Sequence, residues 1–490
     1  MPTLYQDTIV APATIPGTGA ISIVRVSGPE TFRIVDAVVQ LKSGTISDAK
    51  PYTIHFGQIV IPSASSVIPS EAEGSLQSSL LDEVLVSVFR APHSYTGEDA
   101  VEISCHASSY ILSEVVRLLL SAGARMAEPG DFTRRAFLNG KMDLAQAEAV
   151  ADVISSTTAA SHRVAMNQLK GRFSQELDAL REQLLQMASL LELELDFSEE
   201  DVEFANRSEL LQLTQATYRH VQKLASSFRQ GNLIKNGVPV AIVGAANTGK
   251  STLLNALLGE DRALVSDIPG TTRDTIEEVL NLDGILFRFI DTAGIRTSSD
   301  VVEQMGIDRT FRKIAQAEVV LGVLDATLDA NQLTTQIEQL ATNVDSSRQK
   351  FLLLLNKVDL LTESEYNKIV INTNNIVSSV CNQIDIICIS AKSGKGLSEL
   401  KQALVTAEQD LIPNAESTFV TNLRHFEALQ QAANALQQCS TSLSWNIPTD
   451  LVAEDLRQAL ASINAILGKD LGLDAETVLN RIFQSHCIGK

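Results

Sequence analysis

Val238-Pro-Val-Ala-Ile-Val-Gly244-Ala-Ala-Asn247-Thr248-Gly249-Lys250-Ser251 is the stretch from which the rest of the chain is best approached. An apolar, β-branched run ends in Gly244. Four residues follow, and Gly249-Lys250-Ser251 then opens Thr252-Leu-Leu-Asn-Ala-Leu-Leu258, a run of helical character. Strand, phosphate loop and helix in this order make an anion site. Glycines let backbone N–H groups converge on a phosphate at a helix N-terminus, where the dipole favours negative charge. Lys250 reaches the terminal phosphates, and the Ser251 hydroxyl is a suitable ligand for Mg²⁺. A chance Gly-x4-Gly-Lys-Ser is the plain alternative, and the downstream sequence argues against it.

In an open α/β sheet, ligands lie beyond the carboxyl ends of the strands, so further nucleotide motifs are expected at strand ends. Ile285 to Ile290 runs into Asp291-Thr292-Ala293-Gly294, whose carboxylate suits a contact toward Mg²⁺ and whose Gly294 N–H suits a γ-phosphate. Phe351 to Leu355 runs into Asn356-Lys357-Val358-Asp359. The Asp359 carboxylate can accept from the ring N–H and the exocyclic amine of guanine together, a donor pair that adenine lacks. Ile386 to Ile389 leads to Ser390-Ala391-Lys392, a loop able to offer backbone N–H to the guanine carbonyl. Any one of these alone would read as a solvated loop; four in order, each at a strand end, imply GTP binding. Between the phosphate loop and the Asp291 strand lies Ser266-Asp267-Ile268-Pro269-Gly270-Thr271-Thr272-Arg273-Asp274. A switch loop belongs there, with Thr272 as the second hydroxyl for Mg²⁺, although a Thr-rich turn would look similar.

Hydrolysis asks for more than binding. Ile295 follows Gly294, where Ras-like GTPases keep a glutamine that orients the attacking water, and isoleucine has no group for that task. Glu303 is the substitute the sequence offers for water. Asn247 is a candidate for holding a monovalent cation where an arginine finger would otherwise spread charge. Taken alone, Glu303 would be one more solvated surface acid.

The totals fit a large soluble protein of several domains. The chain has 490 residues, 44% hydrophobic and 20% charged, and its length suggests roughly three domains. With 39 basic and 59 acidic residues the formal charge is −20, which disfavours wrapping nucleic acid through phosphate contacts unless a local patch or a basic partner supplies the field. Cys105, Cys381, Cys388, Cys439 and Cys487 are scattered with no Cys-x-x-Cys pair, as expected of a reducing compartment without a zinc ribbon. The N-terminus lacks a basic leader, and runs such as Phe351 to Leu355 are too short to span a bilayer. A cytoplasmic protein without membrane insertion is expected.

Up to about Glu128, β-like runs (Ala20 to Val26, Leu81 to Phe89, Ala100 to Ser104) mix with helix-like ones (Thr31 to Val39, Ser108 to Ser121). Ser63 to Ser79 reads as a loop insertion. Phe173, Leu177, Leu180, Leu184, Met187 and Leu191 then mark one face of a long amphipathic helix. The habit resumes after Pro413, with Leu423, Phe426, Leu429 and Leu436 on one run and Leu456, Leu460, Ile463 and Leu467 on another. The expected fold is multidomain: an α+β N-terminal domain (1–128), an all-α helical domain split in sequence (129–235 and 412–490), and an α/β P-loop G domain (236–411) inserted into it.

With Gly270-Thr-Thr-Arg-Asp274, Asp7-Thr-Ile-Val-Ala11, Ser94-Tyr-Thr-Gly-Glu-Asp99, the segment from Pro129 to Lys141 and the ending Cys487-Ile-Gly-Lys490, the chain closely resembles the MnmE (TrmE) family of tRNA-modification GTPases along its whole length. The resemblance implies a folate-binding, dimerising N-terminal domain and a G domain that dimerises during K⁺-activated hydrolysis. It further implies a homodimer that forms a heterotetramer with the flavoprotein MnmG. The substrate would be tRNA, whose wobble uridine receives a carboxymethylaminomethyl or aminomethyl group from a tetrahydrofolate one-carbon donor. By matching motif, Asn247, Ser266, Ile268 and Thr271 would surround K⁺, while Ser251 and Thr272 would hold Mg²⁺. Glu303, Arg273 and Cys487 are the catalytic candidates, and Arg25, Glu102, Lys141 and Lys490 those for 5-formyl-tetrahydrofolate. Two departures stand out. Ala246 replaces the family's usual proline, which leaves every ligand type in place, and Ala107-Ser108 follow His106 where Gly-Gly is usual, which bears on the shape of the folate pocket.

Two other functions compete. A ribosome-associated regulatory GTPase would want a basic RNA-binding appendage, such as a module with a Gly-x-x-Gly loop, and the sequence offers none. A folate-dependent aminomethyltransferase using the N-terminal domain alone would leave the G domain without a purpose.

Overall fold

The computed structural model describes residues 7–15, 17–61, 79–196, 207–259, 278–290, 314–380, 384–411, 418–445, 447–469, 482–483 and 489. The chain divides into two compact units, one of Met1–Ser155, Ala165–Thr217 and Asn434–Lys490, the other of Ser156–Val164 and Tyr218–Ala433. The loop insertion expected over Ser63 to Ser79 lies almost wholly outside the described residues. No described helix is long and apolar enough to cross a membrane.

The first unit begins with β1 (Ile9–Pro12), β2 (Ile21–Ser27), α1 (Thr31–Asp36), β3 (Val39–Leu41), β4 (Thr53–Ile61), β5 (Ser79–Phe89), β6 (Ala100–His106), α2 (Ser109–Ser121) and β7 (Arg125–Met126). The strands form one seven-stranded sheet in the order β3-β4-β5-β6-β2-β1-β7. The β1–β7 pair is parallel and the other neighbours are antiparallel. The alternation of the pleat sorts the side chains. Val24, Val26, Val84, Val86, Val88 and Ile103 are buried with Ile34 and Val35 of α1 and Val115 and Leu119 of α2, while Arg25 pairs in register with Glu102 between these apolar positions. The helix expected over Thr31 to Val39 stops at Asp36, is capped at Ala37, and gives way to β3 at Val39.

Beyond this sheet come α3 (Asp131–Leu138), α4 (Leu144–Ser155), α5 (Ala159–Leu169), α6 (Arg172–Asp196) and α7 (Arg207–Ser226). Phe173, Leu177, Leu180, Leu184, Met187 and Leu191 are all buried, as one face of α6 requires.

The second unit continues with α8 (Phe228–Asn236), β8 (Val238–Val243), α9 (Lys250–Leu258), β9 (Glu278–Leu282), β10 (Ile285–Phe289), β11 (Val319–Asp325), α10 (Ala330–Ala341), β12 (Lys350–Asn356), α11 (Glu363–Val380), β13 (Asp385–Cys388) and α12 (Leu397–Leu411). Its six-stranded sheet has the order β13-β12-β11-β8-β10-β9, parallel except where β9 runs against β10. Both faces are covered, one by α9 and α12 and the other by α10 and α11. That is why β11 and β12 read as near-continuous apolar runs and not as alternating ones. Two further helices are α13 (Leu423–Ser444) and α14 (Thr449–Leu467). Of the leucines expected to line α13, Leu423 is 56% exposed, because it is the helix's first residue and lies outside the packed turns.

Candidate functional site

β8 delivers the chain to Gly244, where φ is 150°. A Cβ on that glycine would stand 2.2 Å from the Val323 carbonyl oxygen of β11, so no other residue fits. The loop turns through Asn247, at a φ of 61°, and Gly249, at 97°, before α9 begins at Lys250. Left-handed backbone is costly for most residues and tolerated by asparagine and glycine. Lys250 curls back over the loop, its Nζ donating to the carbonyls of Gly244 at 3.0 Å and Ala245 at 2.6 Å. Thr248, itself buried, donates from Oγ1 to the same Ala245 carbonyl at 3.0 Å. Ammonium, helix N-terminus and glycine backbone thus converge on the loop, a donor set that fits a polyphosphate.

Asn356 joins three of the motifs. Its side chain is buried; Nδ2 donates to the Thr248 carbonyl at 2.8 Å and Oδ1 accepts from the Ala391 N–H at 2.9 Å. A Cβ on Gly249 would meet Nδ2 at 2.2 Å, so the phosphate loop approaches this amide with nothing between. Within Ser390-Ala391-Lys392, the loop expected to offer backbone N–H to the guanine carbonyl, the Ala391 N–H is given to Asn356. Next to it, Lys357 turns the chain at a φ of 69° into a short 3-10 turn, Val358–Leu360. That turn leaves Asp359 exposed at the strand ends. The Val358 N–H reaches the Ile389 carbonyl at 3.3 Å, and Ser390 is fully buried.

Asp325, at the end of β11, was not legible as part of this site. It lies in register with Asn356. Its Oδ2 accepts from Lys357 Nζ at 2.6 Å, and its Oδ1 from the N–H and Oγ1 of Thr327 at 3.0 and 2.7 Å. Burial alone would raise its pKa; the bonds from Lys357 and Thr327 outweigh that and hold the carboxyl below the usual aspartate range. The signal that could have found it is an acid at the carboxyl end of an apolar strand, where such sheets place their ligands.

A second cluster lies in the other unit. Arg25 donates from Nε and Nη2 to Glu102 Oε1 at 3.0 and 2.8 Å, and from Nη1 to the Gly489 carbonyl at 3.0 Å. Its guanidinium lies 5.5 Å from the centre of the Tyr95 ring and 5.6 Å from that of Phe132. Gly489 has a φ of 93°, and a Cβ on it would lie 2.2 Å from the Pro12 carbonyl oxygen. Lys141 donates to the Pro92 carbonyl at 3.0 Å. Behind them the fully buried Arg135 pairs with Glu98 at 3.1 Å and with Asp7 at 2.8 Å, while Ser27 Oγ donates to Glu98 at 3.0 Å. Segments that are separate in sequence, at Asp7, Ser94 to Asp99, Pro129 to Lys141 and Gly489, therefore meet around two arginines, Arg25 and Arg135.

Burial pushes the thiol of Cys105 up to about 11, helped by Asp82, and that of Cys439 up to about 12, so neither suits nucleophilic work. Ser266, Asp267, Ile268, Pro269, Gly270, Thr271, Thr272, Arg273, Asp291, Thr292, Ala293, Gly294, Glu303, Cys487 and Lys490 lie outside the described residues.

The family model described as the MnmE helical domain matches residues 144–487, and that of the GTP-binding protein TrmE N-terminus matches residues 8–141. The chain is 49% identical over 489 residues to the tRNA modification GTPase MnmE of Bacteroides fragilis (strain YCH46), with 99% of this chain and 100% of that one covered. The protein of the same name from Bacteroides thetaiotaomicron is 48% identical over 491 residues, and that from Flavobacterium johnsoniae 46% over 491 residues, each with 99% of this chain and 100% of the relative covered. Identity of that order along the whole length shows that the chain belongs to the MnmE (TrmE) family, GTPases of tRNA modification.

Proposed function

We propose that the chain couples K⁺-activated GTP hydrolysis, accompanied by G-domain dimerisation, to modification of the tRNA wobble uridine. It would work in the cytoplasm as a homodimer assembled with the flavoprotein MnmG, and would use a tetrahydrofolate one-carbon donor to install an aminomethyl-type group. The division of labour follows the segments 1–128 for folate and dimerisation, 236–411 for GTP, and 129–235 with 412–490 for the helical domain. Asp359 reads guanine, Lys250 and the loop N–H groups bind phosphate, and Ser251 and Thr272 hold Mg²⁺, which when bound neutralises charge between the β- and γ-phosphates. Asn247, with Ser266, Ile268 and Thr271, holds K⁺, and Glu303 orients water in place of the glutamine that Ile295 displaces.

The observation that carries the link to folate chemistry is the seating of Gly489 on Arg25 beside Glu102. It supports a role for the adjoining Cys487 and Lys490 at the N-terminal site and not at the GTP site. Since the Arg25 fork is engaged by Glu102, a folate carboxylate has to share it or displace that acid, with Lys141 as a second cation nearby. Reconstitution tests the reading: the chain, its flavoprotein partner, GTP, KCl, methylene-tetrahydrofolate, glycine or ammonium, and a tRNA transcript. A new mass on the wobble uridine is expected; an unchanged nucleoside in the complete mixture contradicts the reading.

A further inference from the structure

The ion pair at the ends of β11 and β12 goes beyond the known motifs, and its meaning rests on the guanine-reading role proposed for Asp359. Lys357 is two residues from Asp359 and one from Asn356, and it adopts a φ of 69° that lysine rarely takes. Its side chain is about one-third exposed, at 32%, yet its ammonium is fixed on Asp325 at 2.6 Å. Asp325 is fixed in turn: its second oxygen takes both donors of Thr327, and the Ala326 N–H bonds the Asn356 carbonyl at 2.9 Å. Asp325-Ala326-Thr327 thus clasps the Asn356–Lys357 step by backbone and side chain together. A free lysine would sample many rotamers and would leave the left-handed turn held by its backbone bonds alone.

We propose that Asp325 is a positioning residue for guanine nucleotides. By holding the Lys357 ammonium it fixes the turn that presents Asp359, and it does so before nucleotide arrives. The nucleotide then does not bear the cost of ordering that turn, which is a gain in affinity and not in the chemical step. Asp325→Asn keeps size and one acceptor but loses the charge that grips lysine.

The test is a GTP titration by calorimetry, with steady-state hydrolysis, on the full chain in four forms besides the natural one: Asp325→Asn, Lys357→Met, the double variant, and Asp359→Asn as the control for base reading. Thermal unfolding checks that each is folded, and Thr327→Val, which keeps the ion pair, stands in if Asp325→Asn is not. The expected result is a dissociation constant and KM raised about ten- to a hundredfold in Asp325→Asn, with kcat at saturating GTP within about twofold. The double variant should be no weaker than Lys357→Met alone, because an effect that runs through the lysine vanishes with it. Thr327→Val should show a smaller loss in the same direction. Affinity within about twofold of the natural chain, penalties that multiply in the double variant, or a fall in kcat with KM unchanged would each overturn the proposal. If Asp359→Asn weakens GTP while Asp325→Asn does not, only the positioning role fails; if neither matters, the guanine reading fails with it.

Discussion

Asn356→Ala is expected to disable the nucleotide site by removing the amide that ties the phosphate loop to the guanine side. The natural amide is buried and satisfies two buried backbone groups at once, the Thr248 carbonyl and the Ala391 N–H. Alanine leaves both unpaired, and an unpaired buried polar group costs about 1–3 kcal/mol. The second unit should therefore lose about 2–6 kcal/mol of stability. The phosphate loop, whose Gly249 has no side chain to pack in place of the amide, loses its tie to the guanine side. Asn356→Asp separates the two bonds, since a carboxylate still accepts from Ala391 but faces the Thr248 carbonyl with no proton to give. Urea unfolding of each variant, with and without saturating GTP, gives both numbers, because ligand stabilisation reports affinity through mass action. GTP binding should weaken at least about tenfold in both variants. An Asn356→Ala protein that unfolds within about 0.5 kcal/mol of the natural chain and binds GTP as tightly would refute the bridging role.

Four further outcomes are expected. Asp359→Asn should weaken GTP binding by several kcal/mol and favour xanthine nucleotides, whose donor pattern suits an amide; unchanged GTP affinity removes Asp359 from the base site. Hydrolysis should fall steeply when Na⁺ replaces K⁺ and be largely lost in Glu303→Ala while GTP still binds, because both act on the transition state; equal rates in the two salts exclude the cation role. Arg135→Ala should cost the first unit about 3–5 kcal/mol, since it strands the buried Glu98. Its partner Asp7 adds a pH dependence. Burial pushes Asp7 up, but Arg125 and Arg135 outweigh it and hold the pKa below the usual range. The stability this contributes is fully present above the unfolded-state pKa and is lost as pH falls through the lower folded value, so the first unit should weaken below about pH 4. Acid unfolding that is the same with Asp7→Asn removes this contribution.

The G domain was legible because its strands are buried on both faces and because α9 begins at the glycine-bearing phosphate loop. The run Phe351 to Leu355 falls inside β12, and Ile285 to Ile290 ends one residue beyond β10. What sequence could not show was partnership. Asn356 and Asp325 belong to adjacent strands thirty-one positions apart, and only the parallel register sets Lys357 against Asp325. The N-terminal sheet was half visible for a related reason. β1 and β7 are four and two residues long, too short for periodicity, and β4 alternates weakly because Ile54 and Phe56 lie on its exposed side. The contacts of Arg25 were not visible either: Glu102, in register beside it, and Gly489, far along the chain, are brought to it by the fold.

The wobble nucleosides of tRNA test the account most directly. A strain lacking the gene, rescued either with the natural chain or with one ending before Cys487, should be compared by mass analysis of digested tRNA, with GTP hydrolysis measured on both purified proteins. The truncated protein should hydrolyse GTP within about threefold of the natural one, under roughly 0.7 kcal/mol of barrier change, while the aminomethyl-type wobble nucleosides disappear as completely as in the unrescued strain. Normal wobble nucleosides in the strain carrying the truncated chain would contradict the placement of the tail at the modification site.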